Sequence, residues 1–446
     1  MAIIQRSTDK LSEDFNYANA QQRKVRRGTR RRRRRQRRHV TKAMIIMMGM
    51  VLAWVIGICI FFLRYSGLVS IPTQPSSNMK STGGIIHRSD NGSYESPLLI
   101  FTCRRPKYLS TTLENVFASI SDACAFGCPI IISEDGNHKE IEDVVVSYTK
   151  KFEEKGIPLI HIHHERGLQL KGNAYEALSK HYGWALSEVF DGRAYSLNEG
   201  DKQQHILPQR VIILEEDIKV APDFFSFMES TSSLLDNDPT LYAVSAFNDN
   251  GHLENGDPRR LLRSDFFPGL GWMMNRDLWK NELESKWPNA YWDDWLREVA
   301  QRKDRQVIRP EVSRTYHFGT KGGASGNQFG SILGRVELNE NAVQWDMEDL
   351  TYLDNSKYQN QYMELVMKSK LIHSLDHIQK SFPGSNVRME YENFAHFSVL
   401  ANQLGIMEDE KALVPRTAYR GIVEARLGSN LLFLIPKGGF KGYRKD

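Results

Sequence analysis

The chain has 446 residues, 25% of them charged and 41% hydrophobic, proportions that suit two or three globular domains, and its four cysteines exclude a disulfide scaffold. The net charge of +5 conceals an asymmetry, because residues 1–43 hold 15 Lys/Arg against 3 Asp/Glu, a net of +12 that leaves −7 for the remainder. A basic tail therefore precedes a mildly acidic body.

Met1 to Lys42 is polar and dominated by Arg30–Arg35, with Arg37 and Arg38 beyond, so it cannot bury a core. Taken alone, the arginine run suits a nuclear signal or an RNA-binding arm. Its neighbour argues for a membrane instead. Met44–Leu63 is a run of 20 uncharged residues, the length that crosses a bilayer, with no small-residue cleavage site behind it. Arginine packed against one end of such a span is the positive-inside pattern. The expectation is an uncleaved signal-anchor with a cytoplasmic amino end, a luminal body and no nucleic-acid partner. Residues 64–96 are rich in Ser, Gly, Asn and Pro and read as a stem, with a glycosylation sequon at Asn91-Gly92-Ser93.

From Pro97 onward strands and helices alternate. Leu98–Cys103 predicts a buried strand, and Leu109, Leu113, Val116, Phe117 and Ile120 give Tyr108–Ala123 helical spacing. Pro129–Gly136 is a strand ending in acids; a helix through Val144 and Tyr148, a strand at Leu159–Ile162 and a helix over Leu170–Phe190 follow. Residues 192–209 read as a loop insertion. Val211–Leu214 then has the apolar, β-branched character of a strand buried on both faces. Glu215-Glu216-Asp217 stands at its carboxyl end, where open α/β sheets place ligands, and Pro222 opens the next predicted helix. Grouped acids repel one another. A hard divalent cation holding a diphosphate would offset that cost, and a solvated acidic turn is the competing reading. Leu241–Phe247 is a further strand, residues 265–330 are dense in aromatics, Gly and acids, and residues 335–435 mix short elements. The cysteines and histidines show no metal-ligand spacing: there is no CxxC, and Cys124-x-x-x-Cys128 lacks a second pair, which speaks against structural zinc. The pattern predicts an α/β fold with a mixed or parallel sheet flanked by helices. Its expected divisions are a tail (1–43), a span (44–63), a stem (64–96), a catalytic domain (97–334) and a smaller domain (335–446).

Several stretches, taken together and in order, resemble the N-acetylglucosaminyltransferase I family. They include Ser179-Lys180-His181-Tyr182-Gly183-Trp184-Ala185-Leu186, Glu215-Glu216-Asp217 with its Val220-Ala221-Pro222-Asp223-Phe224-Phe225 tail, and Val244-Ser245-Ala246-Phe247-Asn248-Asp249-Asn250-Gly251. Asp265-Phe266-Phe267-Pro268-Gly269-Leu270-Gly271-Trp272, Trp287-Pro288-Asn289-Ala290-Tyr291-Trp292-Asp293-Asp294-Trp295, Arg309–Thr315 and Pro415–Val423 continue the series. The resemblance implies a GT-A fold in a type II Golgi membrane protein. It also implies Mn2+-dependent inverting transfer of GlcNAc from UDP-GlcNAc, in β1,2 linkage, to the α1,3-linked mannose of high-mannose N-glycans. By position it makes Asp217 the metal ligand, places Glu216 on the donor, and sets Arg105, Asp135, His181 and Ser325 at nucleotide-contacting positions. Ser325 lies in Lys321–Asn327, a glycine-rich run that reads as a closing loop or a plain turn.

Asp293 is the base implied for the acceptor hydroxyl, with Asp294 its rival. The indoles of Trp292 and Trp295 are expected to desolvate the carboxylate and raise its pKa, whereas the alternative has both acids bracing a helix. The chain departs from the family pattern in three places. Glu216 stands where Asp is more usual, the Ser325 loop is one residue longer, and Gly136 occupies the position of the cysteine that would partner Cys103. The family's second bridge falls on Ala243 and Val307, and Cys103 could instead meet Cys124 or Cys128. Two other activities remain open: a related β1,2-transferase acting on O-linked mannose, and an inactive membrane-anchored glycan-binding protein.

Overall fold

Strands of five and six residues, each carrying a run of three or four apolar side chains, build the centre of the protein. Leu98–Thr102 (β1) is buried along its whole length, as is Ile130–Asp135 (β2), and Arg210–Glu215 (β4) is buried up to its last residue. The computed structural model describes residues 96–120, 129–165, 173–195, 207–251, 256–319, 333–376 and 378–438. The arginine tail, the 44–63 run, the sequon, Cys124, Cys128, residues 196–206 of the insertion and the loop with Ser325 lie outside the described residues. Among those described, no helix is long and apolar enough to cross a membrane.

Leu159–His164 (β3), Leu241–Ser245 (β6), Leu261–Ser264 (β7), Trp272–Asn275 (β8) and Gln306–Pro310 (β9) complete an eight-stranded sheet in the order β3-β2-β1-β4-β8-β6-β9-β7. The β3, β2, β1 and β4 neighbours are parallel, while β8 runs antiparallel to both β4 and β6. The sheet is therefore mixed. Because side chains alternate along a strand, Leu98, Ile100, Ile130, Ile132, Ile212 and Leu214 join one apolar core, and Leu99, Phe101, Ile131, Val211 and Ile213 join the other. Pro106–Ser119 (α1), Lys139–Glu154 (α2) and Phe224–Asn237 (α4) contribute to the first core, and Ala174–Phe190 (α3) with a group of indoles to the second.

Between the acids of β4 and α4 the chain forms a strand that the sequence pattern did not predict. Ile218–Val220 (β5) pairs antiparallel with Thr315–His317 (β10), in the register His317 to Ile218. Just past β5, Asp223 is a buried junction. Its Oδ2 accepts from Arg314 Nε at 3.2 Å and Nη2 at 3.1 Å and from the Trp345 indole at 2.9 Å, and its Oδ1 accepts from Asn339 at 3.1 Å.

A second, four-stranded sheet follows. It comprises Lys370–Leu371 (β11), Val387–Tyr391 (β12), Val423–Leu427 (β15) and Asn430–Pro436 (β16), with the two-residue pair Glu410–Lys411 (β13) and Val414–Pro415 (β14) beside it. Leu431, Phe433 and Ile435 of β16 lie in the same apolar cluster as Leu98 and Leu214, so hydrophobic packing runs on from the first sheet into the second.

Candidate functional site

The site forms where β2, β1 and β4 end side by side, since Phe101 is in register with both Ser133 and Glu215. Burial on both faces leaves only the strand ends to meet a ligand. Glu216 is held by the first strand and the loop after it: its Oε2 accepts from the Thr102 hydroxyl and from the Cys103 N–H at 3.3 Å, and its Oε1 accepts from Arg105 Nε at 2.6 Å. Arg105 reaches further, placing Nη1 2.7 Å from Asp217 Oδ2. One guanidinium thus neutralises two adjacent buried carboxylates.

The three acids are not equivalent. Burial pushes Glu215 up to about 7, an effect that the Asp217 charge reinforces and the Tyr182 hydroxyl, donating to Oε1 at 2.8 Å, opposes. Glu216 is also raised, by burial that Arg105 and Thr102 only partly offset. Burial would raise Asp217 as well, but His317 and Arg105 outweigh it and hold this carboxyl below its ordinary value. Asp217 is therefore the acid most firmly kept as an anion. Reciprocally, burial lowers His317 less than the contact with Asp217 raises it.

Asp217 Oδ1 is buried and accepts no hydrogen bond among the described residues, whereas Oδ2 faces Arg105 and, at 3.4 Å, His317 Nε2. Gly319 lies directly against this carboxylate, and a Cβ there would overlap it. The strand-end carboxylate with its orphaned oxygen fits a divalent cation, and Asp217 with His317 would be its protein ligands.

On the β2 side, Asp135 is buried with Oδ1 2.9 Å from His164 Nδ1. His181 is buried too, its Nε2 2.8 Å from the Ser133 hydroxyl and its ring edge-on to Phe101. Arg105, Asp135, His181, Glu216 and Asp217 are thus brought together at neighbouring strand ends, while Ser325 lies outside the described residues.

Asp293 and Asp294 sit in the first turn of Trp292–Arg297 (α5), after Tyr291 in a left-handed conformation. The indoles do not enclose them, contrary to expectation. Trp292 turns into the core, stacking on Tyr182 at 4.3 Å and Trp272 at 5.8 Å, and Trp295 packs edge-on against Trp287. Asp293 stays 40% exposed, with Oδ2 3.0 Å from Arg297. Asp294 is bound by two cations, Arg297 at 2.7 Å and Lys411 at 3.0 Å; against the opposing effect of its partial burial they hold it below the usual carboxylate range. Among the described residues Asp293 thus meets one cation where Asp294 meets two. Asp293 also joins Glu215 and Asp217 among the charges that act on the Tyr182 hydroxyl.

Sequence reasoning missed His317, His164 and Tyr182. The first needed the β5–β10 pairing, and the second lies at a strand end read as finishing at Ile162. Tyr182 stood in a recognised stretch without a role of its own.

Residues 81–446 match the description of the GNT-I family. A protein from Arabidopsis thaliana, alpha-1,3-mannosyl-glycoprotein 2-beta-N-acetylglucosaminyltransferase, is 39% identical over 332 residues, covering 74% of this chain and 71% of that one. Two solved structures align with about half of the chain and span less than two thirds of their own lengths. A mannosyltransferase from Pyrobaculum calidifontis in complex with GDP-Man and Mn2+ is 13% identical over 50% of this chain and 58% of its own, with TM-score 0.32. S. aureus TarS 1-349 in complex with UDP-GlcNAc is 11% identical over 53% and 61%, with TM-score 0.34.

Proposed function

The chain belongs to the GNT-I family, and from that membership we propose that it transfers GlcNAc from UDP-GlcNAc, in β1,2 linkage, to the α1,3-linked mannose of high-mannose N-glycans, with inversion. The observation that carries the reading is Asp217: a buried carboxylate at the carboxyl end of β4, held as an anion, with one oxygen lacking a hydrogen bond among the described residues.

In this reading the eight-stranded sheet is a GT-A nucleotide-sugar domain. Asp135, His181 and Arg105 bind the nucleotide, and Glu216 orients the donor sugar. Asp217 and His317 would hold Mn2+, which when bound would supply Lewis-acid stabilisation of the charge growing on the departing diphosphate. Arg105 pairs with Asp217 Oδ2 in this structure. Asp293 takes the proton from the attacking mannose hydroxyl. Arg297 orients it, without the further contact to Lys411 that Asp294 makes. Ser325, outside the described residues, would supply a hydrogen bond to the nucleotide sugar. Met44–Leu63 anchors the chain in the Golgi membrane with residues 97–446 in the lumen, divided at about residue 335 into catalytic and smaller parts.

The test uses the full chain with UDP-GlcNAc, Mn2+ and a high-mannose N-glycan, alongside Asp217→Ala and Asp293→Asn. Transfer by the parent and failure of both variants supports the assignment. Transfer only to an O-mannosyl peptide moves the acceptor assignment to O-linked mannose. Glycan binding without turnover on either acceptor removes the enzymatic reading.

A further inference from the structure

The end of β2 carries a second cluster, which the transfer chemistry does not use. Glu134, one residue before Asp135, is fully buried. Its Oε1 accepts from the His138 backbone N–H at 2.6 Å and lies 2.7 Å from His138 Nδ1. Its Oε2 makes no hydrogen bond among the described residues, although His161 Nε2 is 3.1 Å away and His163 Nδ1 3.4 Å. His161 Nε2 is also buried and likewise without a hydrogen bond among the described residues. The two atoms thus meet as an ion-pair contact that lacks hydrogen-bond geometry, and a shared third partner would satisfy both.

The placement follows from the sheet. Glu134 is in register with His163 on β3, and His161, two residues earlier, projects from the same face. The three ligand atoms lie within 4.8 Å of one another. From these atoms we propose that Glu134, His161 and His163 form a binding site for a divalent transition metal, zinc foremost, separate from the cation site at Asp217.

The geometry suits that ion. Zinc bonds of about 2.0–2.1 Å in a tetrahedron separate neighbouring ligand atoms by about 3.3 Å, close to the spacings here. Two imidazoles and one carboxylate are a softer set than the oxygen-rich acids of β4 and select for zinc over Mg2+ or Mn2+. His138 serves as the outer partner that orients the carboxylate. Gly136, at φ +117°, permits this, because a Cβ there would come within 2.6 Å of the His138 ring. The His163 side chain, 37% exposed, provides the entry path and leaves a position for solvent. Its Nδ1 also lies 3.3 Å from Gly136 O, the contact that metal binding would displace. An ion here would tie β2 to β3 beside Asp135, and so fix the strand ends on the nucleotide side.

The test is metal binding, read independently of turnover. Full chain carrying Asp217→Ala, stripped with chelator, is titrated with Zn2+ against a chromophoric chelator. In parallel it is loaded with Co2+ and its visible absorption recorded. One Zn2+ per chain with a Kd below about 1 μM is expected, together with the strong d–d band of four-coordinate Co2+. His163→Ala, at an exposed position that does not threaten folding, and Glu134→Gln should each weaken Zn2+ binding by at least ~100-fold and abolish the band, whereas His138→Ala should weaken it ~10-fold. Zn2+ held equally well by the His163→Ala chain, or not held by the Asp217→Ala parent, overturns the proposal whatever the transferase assay shows.

Discussion

His317 Nε2 stands 3.4 Å from Asp217 Oδ2, across a contact that exists because β10 pairs with β5. If both side chains hold the cation, His317→Ala should weaken Mn2+ binding by about 10–100-fold and reduce kcat/KM, with part of the loss recovered at high Mn2+. Titration of activity against Mn2+ checks this. A variant whose Mn2+ requirement equals the parent's would remove His317 from the ligand set. Chelation of the parent should abolish turnover, and Mn2+ should restore it.

Gly319→Ala places a methyl group where the Asp217 carboxylate lies. The carboxylate or the backbone must move, and a displacement of about 1 Å can cost about 100-fold in rate. The expected result is a folded, nearly inactive protein, verified by circular dichroism beside the transfer assay. An active Gly319→Ala enzyme would show that Asp217 tolerates displacement.

The two acids of α5 should separate in kinetics. Asp293→Asn is expected to lower kcat by about 100–10,000-fold with little change in KM for UDP-GlcNAc. Asp294→Asn loses only the Arg297 and Lys411 contacts and should retain most activity. The reverse ranking would transfer the base role to Asp294.

The Asp223–Arg314 pair is fully buried on both sides. Asp223→Ala strands the guanidinium and leaves Trp345 and Asn339 without their acceptor, for an expected loss of about 3–5 kcal/mol in denaturant unfolding. An unchanged unfolding midpoint would contradict the junction described for this residue.

Asp238 offers a pH test remote from the site. Its partial burial acts to raise its pKa, but hydrogen bonds from Thr240 and Arg263 win and hold it below 3.8. The folded state therefore binds this proton less readily than the unfolded chain does. The stabilisation is complete above pH 3.8 and is lost as pH falls through the folded value. Asp238→Asn should flatten that acid limb of the stability curve, and an unaltered limb would show that other carboxylates govern it.

Much of the sheet could be read before the structure. Strands such as Leu98–Thr102 and Arg210–Glu215 are long apolar runs with acids or turns at their ends, and local pattern suffices for them. The acidic cluster was legible for the same reason. What was not legible depends on partners far along the chain. Ile218–Val220 is a strand of only three residues, too short for any periodicity, and it forms because Thr315–His317 lies beside it. The indoles of α5 were expected to wall Asp293, but spacing alone does not say that Trp292 turns toward Tyr182. His161 and His163 showed only an alternating pattern on one strand until β2 supplied Glu134 opposite them.

The indoles that turn inward give the enzyme a built-in optical probe. Trp279, Trp292 and Trp295 each contact Trp287, and Trp292 continues to Trp272, with neighbouring centroids 5.1 to 6.1 Å apart. These are five of the chain's eight tryptophans. At such spacings excitation migrates from ring to ring, and the path runs through Trp292, stacked on the tyrosine that donates to Glu215. Occupancy of the donor site should therefore register as a change in the colour or brightness of the native fluorescence, without any label.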